Sequence, residues 1–340
     1  MKKPPTKITK ISEVEQSHLS DFYKKNYFDR HKSLINNWKW WYRIGYSKFE
    51  PLIISSGEKV LGQAGTQPID LSINGKKVLA SWFLDFSVNP ELRGKGIGKN
   101  LTKKLMETCP NLITFCNEKT LKIVENFGWK DNFSTVRLAK PINPLKFLPI
   151  VKKIKLQFAD NILRKIIKKD LKSTKINLKK IDNNYNVIKD SFKIRKILNI
   201  ENSPQILRDE IWLDWRIKDC PYKKDLYFFE YKNNFLIAHI FSKKGINRLN
   251  ILFTYFIDQS YENEIFQIIL SWSVDNNIDL LWAIRKKEID LFEKVFPKKF
   301  TKLVTFACWS SEQDNLKSLS NGLDNVQGID SDLDSSMLEE

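Results

Sequence analysis

The stretch Leu84-Asp85-Phe86-Ser87-Val88-Asn89-Pro90-Glu91-Leu92-Arg93-Gly94-Lys95-Gly96-Ile97-Gly98 constrains this chain more than any other. An apolar strand runs into a turn, then a loop punctuated by glycines at 94, 96 and 98, then a helix from Lys99 to about Thr108. The first backbone N–H groups of such a helix have no intrahelical partner. Together with the helix dipole they favour an anion. Glycines let that backbone approach its ligand with no Cβ in the way. What the chain does therefore hangs on which anion-binding loop this is.

Three glycine patterns compete, against the alternative of an ordinary glycine-rich turn. A Walker A loop needs G-x-x-x-x-G-K-[ST]. Here Gly94 and Gly98 are too close, and Asn100 follows Lys99 where a magnesium-binding hydroxyl belongs. A dinucleotide fingerprint needs G-x-G-x-x-G, whereas Gly94, Gly96 and Gly98 run G-x-G-x-G. The third pattern, R-x-x-G-x-G, is met by Arg93, Gly96 and Gly98. It resembles motif A of the GNAT superfamily of N-acyltransferases, as does the surrounding V-x-P-E-x-R-G-K-G-I-G.

The neighbourhood extends the resemblance over roughly residues 10–140. A strand-like run Leu112–Cys116 follows the helix. Asn117 and a short helix ending at Phe127-Gly128-Trp129 come next and resemble GNAT motif B. Upstream, Val60–Ile69 and Val78–Val88 read as strands joined by Asn74-Gly75, a strong hairpin signal. His18–Lys25 and Ser33–Tyr42 read as two early helices, the second crowded with Trp38, Trp40 and Trp41, and Phe49–Ser55 as a strand.

The resemblance implies a mixed twisted sheet with flanking helices, and acetyl-CoA as acyl donor without any metal. Carried over position by position, it places the donor pyrophosphate on the amides from Arg93 through Gly94, Lys95, Gly96 and Ile97 to Gly98. The strand end at Phe86 and Val88 receives the pantetheine arm and polarises the thioester, in a gap between splayed fourth and fifth strands. Asn117 matches an Asn that contacts pantetheine; its structural alternative is a turn residue. The acceptor amine must lose a proton, so a carboxylate is the expected base. Asp85, facing away from Phe86 and Val88, is the candidate; the alternative is a strand Asp that caps a loop or bonds an Arg. One position departs from the family: where motif B carries a Tyr as general acid, this chain has Val124. Tyr23, Tyr27, Trp40 and Trp41 could line an acceptor pocket, although aromatics at such spacing are more often core.

The second half repeats the first faintly. Trp41-Tyr42-Arg43-Ile44 is echoed by Trp215-Arg216-Ile217. Strands over 226–231, 235–241 and 249–257, a helix over 261–274, a strand over 280–284 and a helix over 288–296 repeat the later order of a GNAT domain. The loop Asp258-Gln259-Ser260-Tyr261-Glu262-Asn263-Glu264 has no glycine and three acids, so it would repel a pyrophosphate. The expected architecture is an α/β GNAT fold present twice in tandem, the second copy degenerate. Its divisions are 1–140, a basic amphipathic linker 141–180, 181–311, and an acidic disordered tail 312–340. The Trp215-Arg216-Ile217…Cys220-Pro221-Tyr222 stretch also resembles bacterial tandem GNAT proteins associated with surface-polysaccharide genes, which implies an amino-sugar acceptor.

Charge adds a second theme. The chain carries a formal charge of +17, and twelve Lys/Arg against two acids fall between Lys146 and Lys180. Leu145–Leu171 has apolar residues at near-helical spacing with Lys between them, which fits a packed linker helix, a helix on an anionic membrane surface, or nucleic-acid contact. No fold motif supports nucleic acid. The tail from Glu312 has eight acids and one Lys. No apolar run is long enough to span a membrane, and the basic N-terminus lacks the apolar core of a signal peptide. Four unpaired-looking cysteines then fit a reducing cytoplasm. The three histidines are scattered and form no metal-ligand cluster. The leading expectation is an acetyl-CoA-dependent N-acyltransferase acting on a small amine. The alternatives are a non-catalytic acyl-CoA- or membrane-binding module and, less compatible with an intact donor loop, an aminoacyl-tRNA-dependent transferase.

Overall fold

The computed structural model describes residues 6–147 except 29, positions 162, 164–166, 168, 179–181 and 185–194, and the stretches 203–256, 259–286, 302–323 and 327–330. Most of the amphipathic segment 145–171, the helix expected over 288–296 and the end of the acidic tail lie outside the described residues.

One mixed sheet organises the described chain. Its strands are β1 (Thr6–Lys10), β2 (Leu52–Ser56), β3 (Lys59–Ile73), β4 (Lys76–Val88), β5 (Asn111–Cys116), β6 (Lys130–Pro141) and β7 (Lys179–Lys180). They continue as β8 (Gln205–Ile206), β9 (Leu226–Tyr231), β10 (Asn234–Lys243), β11 (Ile246–Tyr255), β12 (Leu280–Lys286) and β13 (Lys302–Ser310). The spatial order is β1-β2-β3-β4-β5-β13-β6-β12-β11-β10-β9-β7, with β8 on β3. β4 runs parallel to β5, and β11 parallel to β12. Asn74-Gly75 closes the β3–β4 hairpin with both residues at positive φ, 51° and 74°, the conformation a tight hairpin turn asks of its central pair. Between β9 and β10 the turn is Lys232-Asn233, one residue earlier than expected. Asn234 instead begins β10, and its Nδ2 donates to the Tyr231 and Lys232 carbonyls.

Helices cover both faces near the glycine loop. α1 (Gln16–Asn26) and α2 (His31–Trp41) bury Leu19, Phe22, Tyr23, Leu34, Trp38 and Trp41 against Ile69, Leu71, Trp82 and Leu84. α3 (Ile97–Thr108) and α4 (Glu118–Glu125) lie on the opposite face, where Leu101, Leu105 and Val124 meet Phe83 and Leu112. Alternate residues of β4 feed the two cores, as period-two strand geometry requires. Later in the chain the Glu262–Asp275 helix connects β11 to its parallel partner β12, the connection that α3 makes between β4 and β5.

The strand pairing crosses the boundary that the sequence places near 140–181. β13 enters the sheet between β5 and β6, antiparallel to both, from Thr305 opposite Cys116 to Ser310 opposite Asn111. β6 in turn pairs with β12, from Leu280 opposite Pro141 to Lys286 opposite Thr135. A C-terminal strand thus completes the N-terminal half of the sheet, and an N-terminal strand borders the C-terminal half. A second seam is aromatic: Trp40 Nε1 donates to the Trp215 carbonyl and Trp215 Nε1 to the Trp40 carbonyl, both at 2.8 Å. The Trp-Arg echo of the sequence therefore marks a direct contact, and Arg43 lies over the Tyr46 and Trp215 rings.

The segment after 311 departs from its expected disorder. Gln313–Leu319 is helical, and Leu316, Leu319 and Leu323 are buried in the core beneath α1 and α2. Three leucines at this spacing anchor a segment whose average composition is polar. Further on, Asp330 is buried and takes Arg208 at 2.5 Å.

Candidate active site

The glycine loop forms because two different demands fall on its three glycines. Gly94 and Gly96 have φ of +77° and +80°, and a Cβ at either would meet no heavy atom within 4 Å. Conformation, not crowding, requires glycine there. Gly98 has the opposite constraint: a Cβ would stand 3.0 Å from Cζ of Phe86. Gly96 caps α3, which begins at Ile97, two residues before the start the sequence indicates. No backbone acceptor among the described residues takes the amides of Gly94, Gly96, Ile97, Gly98 or Lys99. Arg93, Gly94, Lys95, Gly96 and Lys99 are exposed, Ile97 and Gly98 partly so. The first turn of α3 has no acid. The result is an open row of N–H donors at the positive end of a helix dipole. The Arg93 guanidinium folds back, its Nε donating to the Val88 carbonyl at 3.2 Å.

This loop sits at the mouth of a wedge in the sheet. β4 and β5 pair only through Ser81–Leu112 and Trp82–Ile113. Beyond that vertex, Phe83–Val88 has no strand partner on the β5 side among the described residues. At about 3.3 Å per residue, the six steps from Trp82 to Val88 leave about 20 Å of open edge. Phe86 and Val88 lie on the α3 side of this edge beside Gly98.

A bulge shapes the edge. Between Gln63–Ser87 and Gly65–Leu84 the β3–β4 register slips by one residue, so β4 carries an extra one. Asp85 takes up the slack at φ +48°, a conformation that Asp tolerates better than most residues. Across from it, a Cβ on Gly65 would stand 2.5 Å from the Leu84 carbonyl oxygen, so only glycine leaves room for the bulge.

Asp85 faces α1 and α2, opposite Phe86 and Val88 as expected, but its surroundings differ from those of an accessible base. The carboxylate is 1% exposed. Arg30 donates to it at 2.8 Å, Trp41 Nε1 at 2.8 Å and the Tyr42 hydroxyl at 3.1 Å. The Asp85 carbonyl receives the Tyr27 hydroxyl, and Gln63 Nε2 at 3.5 Å. Gln63 also links the hydroxyls of Tyr23 and Tyr42. Burial, with Asp85 nearby, pushes the Tyr27 and Tyr42 phenols far above their ordinary range, which keeps them donors. Tyr23, Tyr27 and Trp41 therefore belong to a clamp on the bulge. Arg30, Tyr42 and Gln63 were not legible as site residues. The one signal was indirect: a carboxylate in an apolar strand demands a cation, and nothing in the sequence says which.

Asn117 is the N-cap of α4: its Oδ1 accepts from the Thr120 amide at 3.0 Å and from the Thr120 hydroxyl at 3.3 Å. Val124 is 1% exposed in the core under α3 and α4, so no hydroxyl enters the wedge from there. Cys116 ends β5 with its thiol pushed up to about 11 by burial and by Asp131 and Glu125. A neutral thiol is a poor nucleophile. Among the described residues no group of three or more His, Cys, Asp or Glu could hold a metal ion, and no helix is long and apolar enough to cross a membrane.

A second wedge mirrors the first and is filled. β11 and β12 pair from Arg248–Leu280 to Ile251–Ala283 and then part. Into the gap comes Gln327, whose Oε1 accepts the Thr254 amide at 2.7 Å and whose Nε2 donates to the Thr254 carbonyl at 3.0 Å. A side-chain amide thus satisfies both main-chain groups of Thr254.

Residues 10–130 match the family model of the acetyltransferase (GNAT) domain. This part of the chain is a GNAT domain. Solved structures of the same fold align with most of the sequence. A GCN5-related N-acetyltransferase from Anabaena variabilis superposes with TM-score 0.56 at 13% identity, over 89% of this chain and 72% of that one. A probable N-acyltransferase from Enterococcus faecalis gives 0.60 at 12% identity, over 92% and 74%. An N-myristoyltransferase from Saccharomyces cerevisiae with bound myristoyl-CoA gives 0.58 at 12% identity, over 90% and 83%. The likeness of fold thus runs beyond the GNAT domain across both halves. No curated protein matches the sequence.

Proposed function

We propose that the chain transfers an acetyl group from acetyl-CoA to the primary amine of a small acceptor. One observation carries this reading: a row of unpaired, solvent-open amides, from Gly94 and Gly96 to Lys99, lies at the mouth of an unpaired strand edge. A diphosphate fits the amides, and a pantetheine arm, with its own amides, fits the edge as a strand would. Asn117 caps α4 through Oδ1, and its Nδ2, which makes no hydrogen bond among the described residues, can donate to the arm.

In the reaction the ammonium first loses a proton to solvent or buffer, the amine nitrogen bonds to the thioester carbon, and the C–S bond breaks so that CoA leaves as a thiolate, which takes up the second nitrogen proton through solvent and departs as the free thiol. A main-chain amide at Phe86 or Val88 donates to the developing oxyanion, an interaction worth about 2.7–4 kcal/mol where it has been removed elsewhere. Because the Asp85 carboxylate is enclosed by Arg30, Trp41 and Tyr42, we assign it to positioning: it holds the bulge that orients those amides. The neutral Cys116 thiol favours direct transfer over a cysteine-bound intermediate. For the acceptor, an amino sugar on an anionic carrier suits the basic balance of the chain.

Isothermal titration with acetyl-CoA tests the donor site. Micromolar binding that Gly96→Glu abolishes supports it; unchanged binding by the variant refutes it. A non-catalytic acyl-CoA-binding module is the second reading, favoured by Val124 and by the enclosure of Asp85. A thiol-release screen over amino sugars and other amines separates the two: binding with no thiol release from any amine supports the module.

A further inference from the structure

The fold leaves the length of the acyl chain open, but the side chains at the vertex of the first wedge do not. A donor whose diphosphate lies on Gly94–Lys99 runs up the open β4 edge, thioester toward Trp82 and Ile113, where the strands close. An acyl tail longer than the space below the vertex must leave the plane of the sheet on one face or the other.

Both faces are walled by aromatic rings. Toward α1 and α2, Trp82 of β4 and Phe115 of β5 reach toward each other across the wedge, their centroids 5.1 Å apart. Phe306 packs edge-on against both, at 6.4 Å and 6.1 Å. Trp82 and Phe306 are 2% and 1% exposed. Toward α3 and α4, Phe83 lies 5.2 Å from Phe86 and 5.8 Å from Trp129. Rings at these separations are in contact, so a polymethylene chain cannot pass between them without moving them. Phe306 comes from β13, the C-terminal strand inserted beside β5. The exchanged strand therefore finishes the closure of the donor wedge.

Resting on the acyl-CoA reading above, we infer that Trp82, Phe115 and Phe306 form a length gate that restricts the donor to short acyl groups. Phe115 is the member to change first. It is only partly buried, at the rim of the core, and its loss removes the ring that bridges β5 to β4.

The test is titration of the full chain with free CoA and with acetyl-, butyryl-, octanoyl- and myristoyl-CoA, all below their critical micelle concentrations. The expected result is at least tenfold weaker binding of octanoyl-CoA than of acetyl-CoA. Phe115→Ala should narrow that gap about tenfold while changing acetyl-CoA binding less than threefold. Equal binding of octanoyl- and acetyl-CoA by the unaltered protein overturns the gate, and this measurement needs no variant to fold. A folded Phe115→Ala protein that keeps the full discrimination also overturns it. Failure of every ligand, free CoA included, overturns the acyl-CoA reading itself, an outcome distinct from loss of discrimination.

Discussion

Replacing Arg30 by Met tests whether Asp85 holds the bulge or serves as an accessible base. The Asp85 side chain is 1% exposed and the Arg30 side chain 20%. Methionine keeps most of the length of Arg30 but removes its charge, leaving a buried carboxylate with two neutral donors, Trp41 and Tyr42. Removing one partner of a buried pair costs about 3–5 kcal/mol, because the remaining charge is uncompensated. The residual access of Arg30 to water and the two neutral donors place the expected loss near the lower end, about 3 kcal/mol. Asp85→Asn is the matched partner: Asn tolerates a left-handed φ at least as well as Asp, so it adds no backbone strain. In urea unfolding, the Arg30→Met/Asp85→Asn protein should be more stable than the sum of the single changes predicts, by about 1–3 kcal/mol. In acetyl transfer, a positioning role lowers kcat in both single variants and leaves the pH dependence of kcat/KM in place. If Arg30→Met costs less than about 1 kcal/mol, or Asp85→Asn abolishes one limb of the pH profile, the positioning argument is wrong.

Further outcomes follow from the same geometry. Gly65→Ala, whose Cβ would stand 2.5 Å from the Leu84 carbonyl oxygen, should destabilise by at least about 1–3 kcal/mol in thermal or urea melts, since a backbone atom must move. Gly96→Ala meets no neighbour and should cost only about 1–2 kcal/mol of conformational strain, visible as a few degrees of melting temperature. With its thiol at about 11 instead of the usual 9, Cys116 should react with iodoacetamide at pH 8 about a hundredfold more slowly than an unperturbed thiol. The rate should climb as pH rises toward 11, and CoA should slow it further. Gln327→Ala should speed hydrogen exchange at the Thr254 amide, which loses its acceptor.

What was legible in the sequence was local. The glycine loop, the Asn74-Gly75 hairpin and the two early helices each announce themselves through a few adjacent residues, and each stands where those residues indicate. The two echoed stretches touch, with Arg43 over the Trp215 ring. What stayed hidden was long-range. Nothing near Asp85 names Arg30, 55 residues away, as its partner. No periodicity tells which strand Phe306 will pair beside, since a buried apolar strand fits many neighbours. The leucines after 311 were obscured by acidic neighbours, although burial depends on one face of a helix and not on its average.

The exchanged strands carry the last consequence. β5 has β13 as its partner on the side away from β4, and β6 is held between β13 and β12. A fragment ending near residue 145 therefore exposes one edge of β5 and both edges of β6, together with the apolar faces that Phe306, Ala307 and Cys308 cover. Open edges of this kind promote association. The fragment should aggregate and bind no acetyl-CoA, although it contains the entire glycine loop. Supplying residues 181–340 as a second chain during refolding should restore one soluble complex that binds donor once. If the short fragment instead folds as a monomer and binds acetyl-CoA with the affinity of the full chain, β13 is dispensable and the donor wedge is built by the first half alone.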